Sequence, residues 1–109
     1  MPKKIDREEL KQKIDSGEDF VLIEVLGKKA YEKTHIRGAV NVPLKDIGHI
    51  AKERYDPETE IVVYCADVEC QASPKAAQKL EGMGFHKVYV YAKGKKDWME
   101  AGYDMESGS

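Results

Sequence analysis

The two cysteines of the sequence lie in one short stretch, IVVYCADVECQASPKAA, residues 61–77. Cys65 ends an apolar, β-branched run, and Cys70 follows it after a short acidic segment. The thiolate form of cysteine is a nucleophile, whereas a buried thiol is inert. A structural zinc site needs four ligands, and this C-x4-C pair lacks two of them. Two cysteines cannot form a disulfide framework, so catalysis, redox sensing and simple burial remain as interpretations.

The position of Cys65 in the chain is compatible with catalysis as well as with simple burial. Residues 60–65 are predicted to form a buried strand, and Ser73-Pro74 predicts the start of a helix, with Ser73 as the N-cap. Ligands of parallel sheets bind where loops leave the carboxyl ends of the strands. The helix N-terminus and a curled loop offer N–H groups that would lower the pKa of Cys65. The alternative is a small apolar residue that ends a core strand.

Length and composition limit the class of protein. The chain has 109 residues, of which 41% are hydrophobic and 35% charged, with a net charge of −2. These values are typical of one globular domain, and the mixed charges give no basic field for nucleic acid. No apolar run has the length of a membrane span, and the N-terminus has no signal-peptide pattern. We therefore expect a cytoplasmic protein that binds neither membranes nor nucleic acid.

Strand and helix patterns alternate along the chain, which predicts an α/β fold with a mainly parallel sheet. Asp6 and Glu9 form a capping-box pattern at the start of the first helix. The predicted helices are residues 5–16, 28–34, 44–54, 73–82 or 73–84, and 95–102. The predicted strands are residues 20–25, 38–43, 60–65 and 87–91. We expect a single domain over residues 1–109, ordered from about residue 5 to 103, with a flexible tail at 104–109.

Three segments of the chain resemble rhodanese-like domains. They are VLIEV with AYEKTHIRGAVNVPL, then IVVYC with AAQKLEGMGFHKVYVY, and finally KGKKDWMEAGY. The similarity extends over nearly the whole chain, from residue 5 to residue 103. It implies a three-layer fold, with a five-stranded parallel sheet flanked by helices. It also implies a catalytic Cys65 that carries sulfane sulfur as a persulfide, without a cofactor.

The same resemblance implies a sulfurtransferase that passes sulfur from a small donor to a thiophilic acceptor, which is a small molecule or a protein thiol. The protein is expected to act as a monomer. Backbone N–H groups of the loop after Cys65 would surround the extra anionic sulfur. The residues of this active-site loop are Ala66, Asp67, Val68, Glu69, Cys70, Gln71, Ala72 and Ser73.

The loop departs from the rhodanese pattern because it contains neither glycine nor a cation. Carboxylates at Asp67 and Glu69 would raise the pKa of the nucleophile and repel a dianion. We therefore predict that thiosulfate is a poor donor. The related phosphatase version of the fold needs a loop arginine to bind phosphate, and this loop has none. The cations that could attract an anionic donor are Lys75, Lys93, Lys95 and Lys96.

Cys70 has no counterpart in the usual rhodanese loop. In a curled loop, two cysteines five residues apart can reach the Cα separation of a disulfide. Cys70 could then act as a resolving thiol that attacks an oxidised or persulfidated Cys65. This hypothesis makes the protein a thiol–disulfide or redox-sensing module. A third hypothesis is a catalytically silent domain that serves only as a binding platform.

Overall fold

The structure is a computed structural model that describes residues 2–108. Its strands are β1 (Lys3–Lys4), β2 (Val21–Glu24), β3 (His35–Ile36), β4 (Val40–Asn41), β5 (Glu60–Tyr64), β6 (Lys87–Tyr91) and β7 (Met105–Glu106). Its α-helices are α1 (Arg7–Asp15), α2 (Lys28–Lys33), α3 (Ile47–Arg54), α4 (Ala72–Gly82) and α5 (Gly94–Glu100). A 3₁₀ turn over Leu44–Asp46 leads into α3. No helix within residues 2–108 is long and apolar enough to cross a bilayer.

Five of these strands form the main sheet, in the order β1-β6-β5-β2-β4. All of its neighbouring strands are parallel. In register, Ile23 of β2 faces Val63 of β5, and Val63 faces Val90 of β6. The predicted five-stranded parallel sheet is therefore confirmed. Because β5 is the central strand, the loop that follows it leaves the middle of the carboxyl edge.

The sheet separates two apolar cores, as the three-layer prediction requires. On one face, α3 and α4 contribute Ile47 and Leu80 to a core with the alternate strand residues Ile23, Val63 and Val88. On the other face lie the buried side chains of Leu10 from α1, Val62 and Tyr64 from β5, and Trp98 from α5. The strand residues alternate between the two cores because successive side chains of a strand point to opposite faces.

Local sequence signals explain where α1 begins, but not where α4 begins. Asp6 caps α1, and the predicted capping box is present, with Glu9 N–H donating to Asp6 and Asp6 N–H donating to the Glu9 carboxylate. The predicted N-cap at Ser73 is wrong, because α4 starts at Ala72 and Ser73 is its second residue. Pro74 is still tolerated there, since N–H groups of the first turn have no helical partner.

Three short strands have no counterpart in the sequence-based prediction. They are β1, β3 and β7, each of two residues. The last of them falls in the tail that we expected to be flexible: Met105 pairs with Ile36 and Glu106 pairs with His35 in an antiparallel ladder. Two-residue strands carry no periodicity of their own, so only their distant partners reveal them.

Candidate active site

Cys65 lies directly after β5 and is fully buried, with 0% of its surface exposed. Its carbonyl oxygen accepts a hydrogen bond from the backbone N–H of Lys95, 3.0 Å away. The next carbonyl, that of Ala66, accepts one from the N–H of Lys96 at 2.9 Å. Both donors lie in the first turn of α5, where N–H groups have no partner within the helix. The start of α5 therefore fixes the start of the active-site loop.

This close approach requires glycine at position 94. Gly94 has a φ of +69°, and a Cβ there would lie 2.5 Å from the carbonyl oxygen of Cys65. Other residues rarely adopt this φ, and no real Cβ contact is so short. Sequence reasoning considered only the lysines around Gly94. A glycine that separates a strand from a helix is the signal that could have identified it.

The sulfur of Cys65 has polar neighbours despite its burial. Its Sγ lies 3.3 Å from the buried hydroxyl of Ser73 and 3.5 Å from the carbonyl oxygen of Cys70. The side chains of Cys65 and Cys70 also influence each other's pKa. Ser73 thus contacts Cys65 instead of capping the helix. Both cysteines are free thiols, so the structure shows the reduced pair.

The surroundings of Cys65 act against the lowering of its pKa that the sequence predicts. Burial raises the pKa of the Cys65 thiol, and the hydrogen bond to Cys70 raises this pKa further. The hydroxyl and the backbone N–H of Ser73 act in the opposite direction but do not reverse the shift. Placing a thiolate in an apolar core costs solvation energy, and one helix N-terminus does not compensate for it here. The net direction is thus a raised pKa for Cys65.

Cys70 is instead the cysteine whose thiolate is stabilised. Partial burial acts to raise the pKa of Cys70. The Cys65 thiol and the N–H groups of Ala66 and Ala72 act to lower it, and their combined effect exceeds that of burial, so the pKa of Cys70 is lowered. Cys70 is half-buried, unlike Cys65. The backbone donors predicted around Cys65 thus act on both cysteines. The N–H groups of Ala66 and Ala72 lower the pKa of Cys70, and the N–H group of Ser73 lowers that of Cys65.

The acidic part of the loop forms its outer turn. The N–H of Cys70 donates to the carbonyl of Asp67 at 3.2 Å, and the N–H of Glu69 donates to the Asp67 carboxylate at 3.0 Å. Val68, at the tip, is 65% exposed. The negative charge of Asp67 acts to raise the pKa of Cys70, although it does not prevent the net lowering. The carboxylate thus faces the half-buried cysteine.

A groove of about 370 Å³ runs between this turn and α5. Its lining residues are Asp67, Val68, Glu69, Lys93, Lys96, Asp97 and Glu100. Two of the four lysines predicted to attract substrate, Lys93 and Lys96, are exposed there. Lys75 is exposed on the first turn of α4 and does not line this groove. The groove carries both signs of charge, so it is not a general anion site.

Lys95, the fourth predicted cation, does not face solvent, and its predicted role is wrong. Its ammonium lies 3.1 Å from Oε2 of Glu24 in the interior and donates to the carbonyls of Ala30 and Thr34. Glu24 is completely buried and also accepts a hydrogen bond from the Tyr64 hydroxyl at 2.9 Å. Lys95 therefore neutralises a buried carboxylate instead of attracting a donor.

Within residues 2–108, no group of three or more histidine, cysteine or acidic side chains is arranged to hold a metal ion. The groups at the end of β5 that can perform chemistry are the two sulfurs and the backbone donors around them. A thiolate, a neighbouring thiol and several convergent N–H groups are suited to transferring a sulfur atom or to forming a disulfide.

Comparison with known proteins identifies the family. The family model of the rhodanese-like domain matches residues 6–101. The chain belongs to the rhodanese-like domain family. Its architecture and the position of Cys65 agree with the resemblance seen in the sequence. Membership of this family supports a sulfurtransferase-type role at the level of the family.

Two curated relatives contain this rhodanese-like domain within longer chains. A Bacillus subtilis protein provisionally named as a sulfur carrier (YrkF) is 35% identical over 94 residues, which are 86% of this chain and 49% of the relative. A Mycobacterium tuberculosis transcriptional regulator of the helix-turn-helix type is 29% identical over 105 residues, which are 96% of this chain and 45% of the regulator. The chain thus spans about half the length of these relatives.

Solved structures show the same fold. The rhodanese-like domain of an Anabaena protein, solved by NMR, matches with a TM-score of 0.88 and 28% identity, covering 98% of this chain and 80% of that one. A rhodanese from Escherichia coli, solved with anions, matches with a TM-score of 0.65 and 30% identity, covering 81% of this chain and 98% of that one.

Proposed function

We propose that this rhodanese-like domain is a sulfurtransferase that carries sulfane sulfur as a persulfide on Cys65 and passes it to a thiophilic acceptor. The observation that carries the proposal is the position of Cys65 Sγ, 3.3 Å from Ser73 in the first turn of α4, where backbone N–H groups have no helical partner. Such donors stabilise the anionic outer sulfur of a persulfide in the way that they stabilise an oxyanion. The B. subtilis relative, named as a sulfur carrier, is consistent with this role.

In the transfer step, the acceptor attacks the outer sulfur of the Cys65 persulfide. A new bond forms between the acceptor and that sulfur, and the bond to Cys65 Sγ breaks. The electron pair of the broken bond remains on Cys65 Sγ. The backbone N–H and the hydroxyl of Ser73 stabilise the resulting negative charge. The acceptor is a small thiophile such as cyanide, or a thiol of a partner protein. No cofactor is required, because the sulfane sulfur keeps its oxidation state.

The test is incubation of the reduced protein with polysulfide, followed by intact mass and peptide mapping. We expect a gain of one sulfur atom on Cys65 and its release as thiocyanate when cyanide is added. The variant that carries both Cys65→Ser and Cys70→Ser is the control and should form no thiocyanate. A parent protein that gains no sulfur on either cysteine would overturn the proposed function.

A second candidate function is a thiol–disulfide or redox-sensing module. The proximity of the two cysteines favours it, because both are free thiols of one loop and Cys65 Sγ lies 3.5 Å from the carbonyl oxygen of Cys70. Mild peroxide treatment would then remove two hydrogen atoms from the protein and link Cys65 to Cys70. Cys70→Ser should abolish that mass loss. A binding platform without chemistry would show neither the gain of sulfur nor the loss of hydrogen.

A further inference from the structure

The two cysteines differ in their access to solvent. The surface of Cys65 is 0% exposed, since its sulfur is enclosed by Ser73 and by the backbone of Cys70. Cys70 is half-buried and follows the acidic turn at the outer edge of the loop. Of the two cysteines, Cys70 is thus the less buried and the nearer to the outer edge of the loop, whereas a donor can reach the fully buried Cys65 only if the loop opens.

The two cysteines also differ in their hydrogen bonding. The N–H groups of Ala66 and Ala72 and the Cys65 thiol act together to lower the pKa of Cys70. Cys65 Sγ lies 3.5 Å from the carbonyl oxygen of Cys70, to which it donates. Nucleophilic attack on a sulfur–sulfur bond requires a thiolate. Both accessibility and hydrogen bonding thus favour Cys70 for the first attack.

We propose that Cys70 attacks the sulfur donor first, and that Cys65 then takes the sulfur from Cys70 within the closed loop. This inference rests on the proposed function, because it describes how sulfur reaches Cys65. Cys70 becomes a second catalytic residue, and the Cys65 persulfide is formed in a site from which bulk solvent is excluded.

The first step consumes a persulfide or polysulfide donor. The Cys70 thiolate bonds to a sulfane sulfur of the donor, the sulfur–sulfur bond of the donor breaks, and its electron pair leaves with the remainder of the donor. In the second step the Cys65 thiol gives its proton to the outer sulfur of the Cys70 persulfide. Cys65 Sγ then bonds to that sulfur, and the electron pair of the old bond returns to Cys70 as a thiolate. No oxidant or reductant is needed.

The experiment follows the loading of reduced protein with polysulfide by rapid quenching, alkylation and peptide mapping. In the parent protein we expect sulfur on Cys70 before sulfur on Cys65. In Cys65→Ser, sulfur should load onto Cys70 at the parental rate and remain there. In both Cys70→Ser and Cys70→Ala, sulfur should reach Cys65 about tenfold more slowly or worse, because the remaining thiol is fully buried. Met99→Ser, at an exposed position of α5 outside the loop and the groove, keeps both thiols and should load like the parent.

Each alternative outcome is distinct. If both Cys70 variants load Cys65 at the parental rate and Cys65→Ser does not load, the relay is overturned while the proposed function stands. A second outcome is that the parent releases hydrogen sulfide and forms a Cys65–Cys70 disulfide without passing through a Cys65 persulfide. Cys65 would then attack the inner sulfur of the Cys70 persulfide, its Sγ, and the relay would again be overturned. If no cysteine of the parent gains sulfur, both the relay and the proposed function fail.

Discussion

The backbone N–H of Lys95 donates to the carbonyl oxygen of Cys65 over 3.0 Å, so the first turn of α5 holds the cysteine at the end of β5. The side chain of Lys95 continues inward to the buried carboxylate of Glu24. One residue thus links the start of the active-site loop to the centre of the sheet. The geometry of the loop depends on both the backbone of α5 and this internal charge pair.

Gly94→Ala should destabilise the protein. The new Cβ would meet the Cys65 carbonyl, and the φ of +69° would be strained for alanine. We expect the free energy of unfolding to fall by about 1–3 kcal/mol in urea denaturation. The matched control is Gly82→Ala at the end of α4, where a Cβ meets no atom within 4 Å and φ is not positive. If Gly94→Ala were as stable as Gly82→Ala, the close approach would be disproved.

Lys95→Met should be far more damaging than the neighbouring Lys96→Met. Removing the ammonium leaves the carboxylate of Glu24 buried without a counter-charge, which costs about 3–5 kcal/mol. Lys96 is exposed, so its replacement should change stability by less than about 0.5 kcal/mol. Both values can be measured by urea denaturation. Adding Glu24→Gln to Lys95→Met should restore part of the lost stability. If the losses in unfolding free energy of the two single variants simply added in the double variant, the pairing of Lys95 with Glu24 would be contradicted.

Alkylation of the cysteines should depend on pH differently for each residue. The pKa of Cys70 is lowered from 9.0 and that of Cys65 is raised from 9.0, so Cys70 should become reactive toward iodoacetamide at lower pH than Cys65. Peptide mapping after short exposures from neutral to alkaline pH measures both profiles.

Variants at Cys65 provide the control for this pH experiment, because the Cys65 side chain contributes to the lowered pKa of Cys70. Cys65→Ala removes a donor to the Cys70 thiolate, so the reactivity profile of Cys70 should move to higher pH. Cys65→Ser keeps a hydroxyl at this position and should cause a smaller displacement. Equal profiles for Cys70 in all three proteins would show that Cys65 does not stabilise the thiolate.

Asp67→Asn should improve loading from thiosulfate. The Asp67 carboxylate acts electrostatically on Cys70 and would repel an approaching dianion. Removing one charge at contact distance in water is worth about 1 kcal/mol, or roughly fivefold in rate. Glu100→Gln, which neutralises another carboxylate of the same groove, is the control and should have a smaller effect. An unchanged ratio of thiosulfate to polysulfide rates in Asp67→Asn would contradict the electrostatic explanation.

Local patterns in the sequence were sufficient for most of the fold. The capping box of Asp6 and Glu9, the apolar runs at 20–25 and 60–65, and the strand at 87–91 are all confirmed by helix α1 and strands β2, β5 and β6. These signals depend on residues that are adjacent or one helical turn apart, so they can be recognised without knowledge of the tertiary structure. The strand–cysteine–loop–helix order likewise placed Cys65 at the carboxyl edge of the sheet.

The chemical state of the site depended on packing between distant parts of the chain. The sequence places Lys95 in a run of lysines, yet only the fold turns its side chain toward Glu24. The sequence also shows two cysteines in one loop, but burial and the neighbouring N–H groups decide in which direction the pKa of each thiol moves. Solvation and hydrogen bonding are properties of the assembled structure, and for this reason only the tertiary structure shows that the pKa of Cys65 is raised and that of Cys70 is lowered.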